Sequence, residues 1–401
     1  MGRLTPTAPA IDADCVLAIH HTDYPTPPDV VESVRALRAH SRFAVLTLNA
    51  SFGYPAALDR LRFRAILLHY TMFYSSFAPL GARYRAYVTA SDAFKVALFQ
   101  DEQANLPARV ALTRALGLDL VYSCFDQADG ERVYGGTGAG VVEYLPGYVS
   151  DRLRLQGDRL ARPDPQRPID IGYRGRKPPE SWGGAAREKY EIAAGFKSRA
   201  SGLGLRLDIE TGEEERIYGD AWLEFVASCR AMLGTESGAA VADPAGGGEI
   251  PYRTISPRHF EAAAMRSCQI LFEGRYSGAM DPMTHYIPLR KDFADFDLAI
   301  ERFKDPALRA RIAANAHRDL IASGRYGYRR WVEELDARFG AAGLEPPADR
   351  EAASAAGASA LYPPRWRRRA RRVARGLRVG ARIAVNRLRG RPASAALRSR
   401  Q

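Results

Sequence analysis

Short apolar runs alternate with amphipathic stretches along most of this chain. Cys15–Ile19, Phe43–Leu48, Ala65–His69, Lys95–Gln100 and Asp119–Ser123 are nearly continuous in apolar residues. Between them, Val30–Arg38, Pro55–Arg64 and Pro107–Leu116 place apolar residues at helical spacing. Continuous apolar strands separated by helices predict a parallel sheet covered on both faces. That is a Rossmann-like α/β domain. Leu160–Pro168 holds three prolines and no periodicity, as an interdomain hinge does. A second α/β pattern follows, with strands at Ile169–Tyr173, Leu203–Ile209, Ala231–Gly234 and Gln269–Phe272. Its helices fall near Ala185–Ser198, Tyr218–Cys229 and Phe260–Arg266, and three more (Phe293–Phe303, Pro306–Ile321, Tyr328–Phe339) close the body.

The expected division is a loose lead-in over 1–11, a first α/β domain over 12–155, a hinge over 156–167 and a second α/β domain over 168–339. An Ala/Gly/Pro/Ser-rich linker over 340–362 and a basic amphipathic tail over 363–401 complete it. No 20–50-residue repeat shows.

Charge changes this picture at one end only. The 401 residues carry a net charge of +12, yet 14 of the 58 basic residues are arginines between Ala352 and Gln401, where no acidic residue occurs. The remaining 44 basic residues face 46 acidic ones over 1–351, a net of −2. A near-neutral body argues against a nucleic-acid groove across the fold, and no specific nucleic-acid partner is expected. Four scattered cysteines (Cys15, Cys124, Cys229, Cys268) without a C-x-x-C pair suit a reducing cytosol. No signal-peptide pattern opens the sequence and no 18-residue apolar run occurs in it, so a cytoplasmic chain without a spanning helix is expected. Gly135-Gly-Thr-Gly138-Ala-Gly140 precedes an extended run instead of a helix and reads as a turn, not a dinucleotide loop. Asp12-Ala-Asp14 and Asp295-Phe-Asp297 have a metal-binding spacing without a strand-end position, so no metal is expected.

Candidate chemistry concentrates between Ile169 and Asp292. Arg174 and Arg176 leave the first strand of the second domain at its carboxyl end, where open α/β sheets bind ligands and where a guanidinium can take two phosphate oxygens. Gly234-Thr-Glu236-Ser237-Gly238 is a turn after an apolar run, and Pro257-Arg258-His259-Phe260-Glu261-Ala-Ala-Ala opens a helix. A carboxylate at such a helix start also gains roughly 0.3–1 kcal/mol from the helix dipole with no ligand present. His285 and Tyr286 read as structural, closing the sheet.

These segments together resemble the donor domain of a GT-B glycosyltransferase of the group 1 kind, nearest in wording to the spore-maturation-protein-like transferases. The resemblance implies two Rossmann-like domains facing across a cleft. It implies a nucleotide-sugar co-substrate with no further cofactor, and a glycan or lipid-linked acceptor. Glu261 matches the residue that holds the nucleotide ribose, Arg174 and Arg176 the basic residues at the leaving diphosphate, and Arg258 lies in the same donor-binding segment. The family's other glutamate falls eight positions before Glu261, where this chain has Arg253. Its role is carried to Glu236, with Ser237 beside it.

In the first domain, His20, His21 and Asp23 follow the first strand, and Asp101 and Glu102 follow the fourth. An inverting transferase needs a general base for the acceptor hydroxyl, and a histidine or carboxylate at a strand end can serve; a retaining one needs no such base, and these residues would then orient the sugar. Asp101, Glu102 and His20 are therefore the catalytic candidates, with His69 a further one. In the tail, Trp366, Ala370, Val373, Leu377, Ala381, Ala384 and Leu388 recur at three- and four-residue intervals among arginines that include Arg368 and Arg372. Such a stripe suits an anionic membrane surface, each near-surface arginine adding about 1 kcal/mol. A transferase peripheral to the inner membrane face and building a surface polysaccharide or glycolipid is the resulting expectation. A GT-B epimerase and a degenerate, membrane-bound scaffold are the alternatives.

Overall fold

The computed structural model describes residues 10–23, 28–74, 77–175, 177, 183–244 and 246–362. The elements of the first sheet region are β1 (Ile11–His20), α1 (Pro28–His40), β2 (Val45–Asn49), β3 (Leu61–Leu68), α2 (Ala82–Ala90) and β4 (Phe94–Leu98). α3 (Leu106–Leu116), β5 (Leu120–Ser123), α4 (Gln127–Tyr134), β6 (Gly140–Glu143) and α5 (Asp151–Leu160) follow. The second region holds β7 (Ile169–Arg174), α6 (Gly183–Arg199), β8 (Leu207–Glu210), α7 (Asp220–Ser228) and β9 (Cys229–Gly234). Next come β10 (Ser237–Ala242), β11 (Glu249–Thr254), α8 (Pro257–Ala264), β12 (Cys268–Phe272) and β13 (Ile287–Leu289). α9 (Phe296–Lys304), α10 (Pro306–Ala316), α11 (Tyr328–Ala341) and α12 (Arg350–Leu361) end the described chain. Two compact units result. One takes residues 10–99, 112–121 and 332–362 of the described chain; the other takes 100–111 and 122–331.

The architecture is α/β with two parallel sheets of Rossmann-like order. The first runs β2-β1-β3-β4-β5-β6, and the second β13-β12-β9-β7-β8. In the first, β1 pairs in parallel with β2 and with β3, so Cys15–Ile19 is buried on both faces. In the second, β7 lies between β8 and β9, both parallel to it. The chain leaves β7 for β8 on one side and returns to β9 on the other. The carboxyl ends of β7 and β9 therefore flank the point where strand order reverses, as do those of β1 and β3. The core between the second sheet and its helices packs Phe196, Phe272, Ile287, Phe296 and Phe303 on one face. Trp222, Phe225, Phe260, Tyr276 and Tyr286 pack on the other.

Three stretches differ from expectation. Pro55–Arg64 is not a helix: a short 3-10 turn, Ala56–Arg60, passes directly into β3. Leu61, Phe63 and Ala65 are buried while Arg62 and Arg64 are exposed, a two-residue alternation that only a strand satisfies. Gly238–Ser256, whose glycines and prolines read as a long loop, is mostly an antiparallel hairpin, Ser237 facing Thr254 and Ala242 facing Glu249. Gly246, Gly247 and Gly248 sit at its tip, where Gly246 and Gly248 take positive φ.

The stretch 340–362 contains α12 where a linker was expected. Asp349 caps the helix at the Ala352 amide, and its small residues let it lie against the first sheet. A Cβ on Gly357 would stand 2.6 Å from Leu46 Cδ1 and 3.0 Å from Cys15 Sγ. The Cys15 thiol donates to Ala353 O at 3.3 Å, and Leu361 is fully buried. The tail with Trp366, Arg368 and Arg372 lies outside the described residues, as does Arg176.

α5 meets α8 through another close approach. A Cβ on Gly157 would stand 2.6 Å from the carbonyl oxygen of Ala264, a backbone atom that cannot swing aside. Gly157→Ala would gain about 1 kcal/mol of helix propensity. The clash should outweigh it, for a net loss of about 1–3 kcal/mol in a denaturant titration. A stabilised variant would show that α5 does not seat against α8.

Candidate functional site

At the carboxyl edge of the second sheet, β7 ends in Arg174, β9 runs into Thr235 and Glu236, and α8 starts at Pro257. Two side-chain groups form there.

The first gathers Arg174, Arg258 and Glu261 around α7. Trp222 Nε1 donates to Glu261 Oε2 at 2.6 Å. The Arg258 guanidinium lies 5.1 Å from the Trp222 ring centre, and its Nη1 donates to the Arg174 carbonyl oxygen. The Arg174 guanidinium lies 4.3 Å from the Phe225 ring centre. Arg174 is committed, however. Its Nη2 forms an ion pair with Asp208 Oδ1 at 2.8 Å, and Nη1 donates to the Tyr173 and Asp208 carbonyl oxygens. Its charge is therefore largely matched by β8, although its buried Nε has no hydrogen-bond partner among the described residues. Arg258 is exposed and Glu261 half-buried.

The second group centres on Glu188 of α6, which is buried. Its carboxylate accepts from Arg253 Nη1 and Nη2 at 3.0 and 2.9 Å, from Lys291 Nζ at 2.9 Å and from Thr235 Oγ1 at 3.2 Å. Burial pushes this carboxyl up, but the Arg253 and Lys291 hydrogen bonds prevail and hold it below its usual range. Arg253, which occupies the position of the resembled family's glutamate, is thus a partner of Glu188. Glu236 is also buried and accepts the amides of Arg275 and Tyr276 at 3.1 and 2.7 Å. A Cβ on Gly274 would stand 2.5 Å from Glu236 Oε2, so only glycine lets that loop wrap the carboxylate. Lys189 Nζ donates to Ser237 Oγ at 3.1 Å.

Asp101 and Glu102 diverge although adjacent. Asp101 is exposed, with φ +53°, a left-handed conformation uncommon outside glycine. Glu102 is fully buried and accepts from Ser123 Oγ, the Cys124 amide and Tyr134 Oη at 2.8, 2.6 and 2.8 Å. Burial raises its carboxyl, with these three donors working in the opposite direction. It braces its loop and touches no solvent, which places it away from any reacting hydroxyl. The next residue on that strand exit, Phe125, packs edge-on to Tyr252 at 4.9 Å, and Tyr252 precedes Arg253. The 101–102 loop and the Glu188 group are thereby joined within one compact unit.

In the other unit, the β1 and β3 ends carry His20 and His69. Burial and the neighbouring His21 lower His20 to about 4. Burial also holds His69 well below its ordinary value, so both rings are neutral. His69 is bound on both nitrogens, by Ser33 Oγ and Thr71 Oγ1 at 2.9 Å each. His20 Nδ1 meets Thr22 Oγ1 at 3.2 Å. A ring lowered this far is a weak proton acceptor at neutral pH.

Sequence reasoning missed Glu188, Lys291 and Trp222. One signal was present: Glu188, Ile192 and Phe196 share a helix face whose other two members are fully buried. An acid there needs cations from elsewhere in the fold. Among the described residues, no three His, Cys, Asp or Glu side chains converge as metal ligands, and no helix is long and apolar enough to cross a membrane.

No protein-family profile matches the chain, and no curated protein does. Among solved structures, it is similar to HepE from Anabaena in complex with UDP and glucose, at 11% identity over 81% of this chain and 99% of that one, with TM-score 0.48. It is likewise similar to sucrose-phosphate synthase from Thermosynechococcus elongatus, at 13% identity over 82% and 100%, TM-score 0.48. The trehalose-6-phosphate synthase OtsA shows 8% identity over 81% and 99%, TM-score 0.48. Likeness at this level assigns neither substrate nor reaction.

Glu188→Gln should cost about 1–3 kcal/mol at neutral pH, where the carboxylate is charged and hydrogen-bonded to two cations. A carboxyl lowered in the folded state contributes stability above its unfolded value near 4.3, and that stability is lost as pH falls through the folded value. Wild-type and variant unfolding free energies should therefore converge in acid. A gap of constant size down the acid limb would remove Glu188 as the ionic centre.

Proposed function

We propose that this protein is a metal-independent glycosyltransferase of the GT-B type, moving a sugar from a nucleotide-sugar donor to a glycan or lipid-linked acceptor. The observation that carries the reading is the meeting of Glu261 and Arg258 on the Trp222 ring at the strand-reversal edge of the second sheet. A nucleotide sugar presents a ribose diol, which a carboxylate binds, and a diphosphate, which cations and helix amino ends bind. Glu261 takes the diol in this proposal. Arg258, in the first turn of α8, meets the charge that grows on the departing diphosphate. Arg174 then acts by holding β7 and β8 together beside the site, and Arg176 remains a diphosphate candidate outside the described residues. Glu236 and Ser237 shape the sugar side of the pocket.

Asp101 is the acceptor-side group of this reading, since it is exposed on a rigid loop braced by Glu102. His20, neutral and buried at the end of β1, orients the acceptor by hydrogen bonding. The tail holds the enzyme at an anionic membrane face, where a lipid-linked acceptor resides.

A panel of UDP-, GDP-, CMP- and dTDP-sugars tests the proposal. The matching nucleotide should raise the melting temperature in proportion to its binding, and product analysis should show transfer or donor hydrolysis. Donor interconversion would instead indicate an epimerase, and no stabilisation by any member a scaffold. Glu261→Ala should weaken nucleotide binding by about 1–3 kcal/mol in calorimetry. Undiminished affinity would take Glu261 out of the site. A chain ending at Tyr362, which keeps α12, should stay folded and shift from anionic vesicles to the supernatant in co-sedimentation. Retained vesicle binding would sink the anchor.

A further inference from the structure

The opposite, amino edge of the second sheet holds a cavity of about 180 Å³ that the reading above does not use. Its lining includes Arg162, Arg167, Arg230, Arg266 and Arg309, with Asp164 the one carboxylate and Ala313 part of an apolar floor from α10. These arginines come from four places: the segment after α5, the start of β9, the end of α8 and α10.

Their present partners fall into two kinds. Arg167 is fully used by the main chain, donating to the carbonyl oxygens of Arg162, Cys229, Met265 and Arg266 and to Ser267 Oγ. Arg309 binds Asp164 through Nη2 at 2.7 Å and is buried. These two are framework. Arg230 reaches Asp170 Oδ1 at 3.0 Å, which Arg206 already holds at 2.8 Å. The Arg230 Nε donates to the Asp164 carbonyl oxygen at 3.3 Å and lies 3.9 Å from a carboxylate that Arg309 already binds. Arg266 Nη2 lies 3.2 Å from the exposed Asp158 and from His317 Nε2, and Arg162 Nη1 donates to Ser228 Oγ at 3.3 Å. Counting the flanking residues, six arginines meet three aspartates. Like charges gathered around one cavity repel, and the three carboxylates are shared among more than one arginine each or stand exposed in solvent. Burial lowers Arg167 to about 10; Asp164 opposes that shift, and Arg162 and Arg266 add to it.

We propose that this cavity is a second ligand site, which takes a phosphate dianion. Arg162, Arg230 and Arg266 supply the charge-assisted hydrogen bonds, and Arg167 and Arg309 set the cavity walls. A guanidinium fork matches two phosphate oxygens, and a cavity of this size admits a phosphate group but not a nucleotide. The same dianion is presented by inorganic phosphate and by a phosphomonoester lipid headgroup. The site lies at the end of β7, β9 and β12 remote from Glu261, so it stands whether or not the donor reading does.

The test is calorimetry of the full chain with inorganic phosphate, beside co-sedimentation with phosphatidylcholine vesicles with and without phosphatidic acid. Saturable phosphate binding is expected, weakened about tenfold or more in Arg162→Glu and in Arg230→Ala, and unchanged in Glu261→Ala. Arg162 is exposed, so its variant remains informative if Arg230→Ala fails to fold. Binding only to phosphatidic acid vesicles, sensitive to Arg162→Glu, would identify the lipid headgroup as the source. Binding of neither, or phosphate binding indifferent to both arginine variants, overturns the proposal.

Discussion

One buried carboxylate organises the carboxyl edge of the second sheet. Glu188 projects from α6 into a region screened from water, where an isolated charge would cost several kcal/mol. It is sustained by four donor atoms from three other elements: the fork of Arg253 on β11, Lys291 beyond β13 and the Thr235 hydroxyl at the end of β9. No single one of these elements is fixed there by its own propensity. The hairpin in particular is a two-stranded ribbon, which alone would be marginal in water. The ionic centre and the Tyr252–Phe125 contact dock it. The same docking sets Glu236 beneath the 274–276 loop and thereby the shape of the edge around Ser237.

The arginines show how partner chemistry, more than residue type, decides role. Arg174 and Arg258 lie side by side, yet Arg174 is tied to Asp208 and Phe225 while Arg258 stays exposed on an indole face. At the other end of the same strands Arg167 is spent on carbonyl oxygens, and Arg162 has little but a serine. A guanidinium whose donors are met by the protein stiffens the fold. One whose donors are not met is available to an anion.

The two sheets also treat their strand-reversal points differently. At the ends of β1 and β3 the groups are imidazoles kept neutral by burial and fixed by Ser33, Thr71 and Thr22. At the ends of β7 and β9 they are carboxylates and cations. A neutral, hydroxyl-rich edge suits an uncharged hydroxyl ligand, and an ionic edge suits a phosphate-bearing one. That contrast agrees with the division of labour proposed for the two halves.

Much of the fold was legible in the chain itself. Runs such as Val16–Ile19 and Ile270–Phe272 are apolar on both faces, and only central parallel strands bury both. The turn at Gly135–Gly140, followed by an extended run, was likewise readable from local pattern. The sequence did not disclose α12, because alanine and glycine look like linker until a sheet lies close enough to need small residues at Gly357. Nor did it separate Asp101 from Glu102 or mark Arg174 as spent. Adjacent like residues and strand-end arginines are identical as letters, and they differ only through what Ser123, Tyr134 and Asp208 bring to them from distant positions. Local periodicity is written in the chain, whereas the partner of a charge is fixed only when the chain closes on itself.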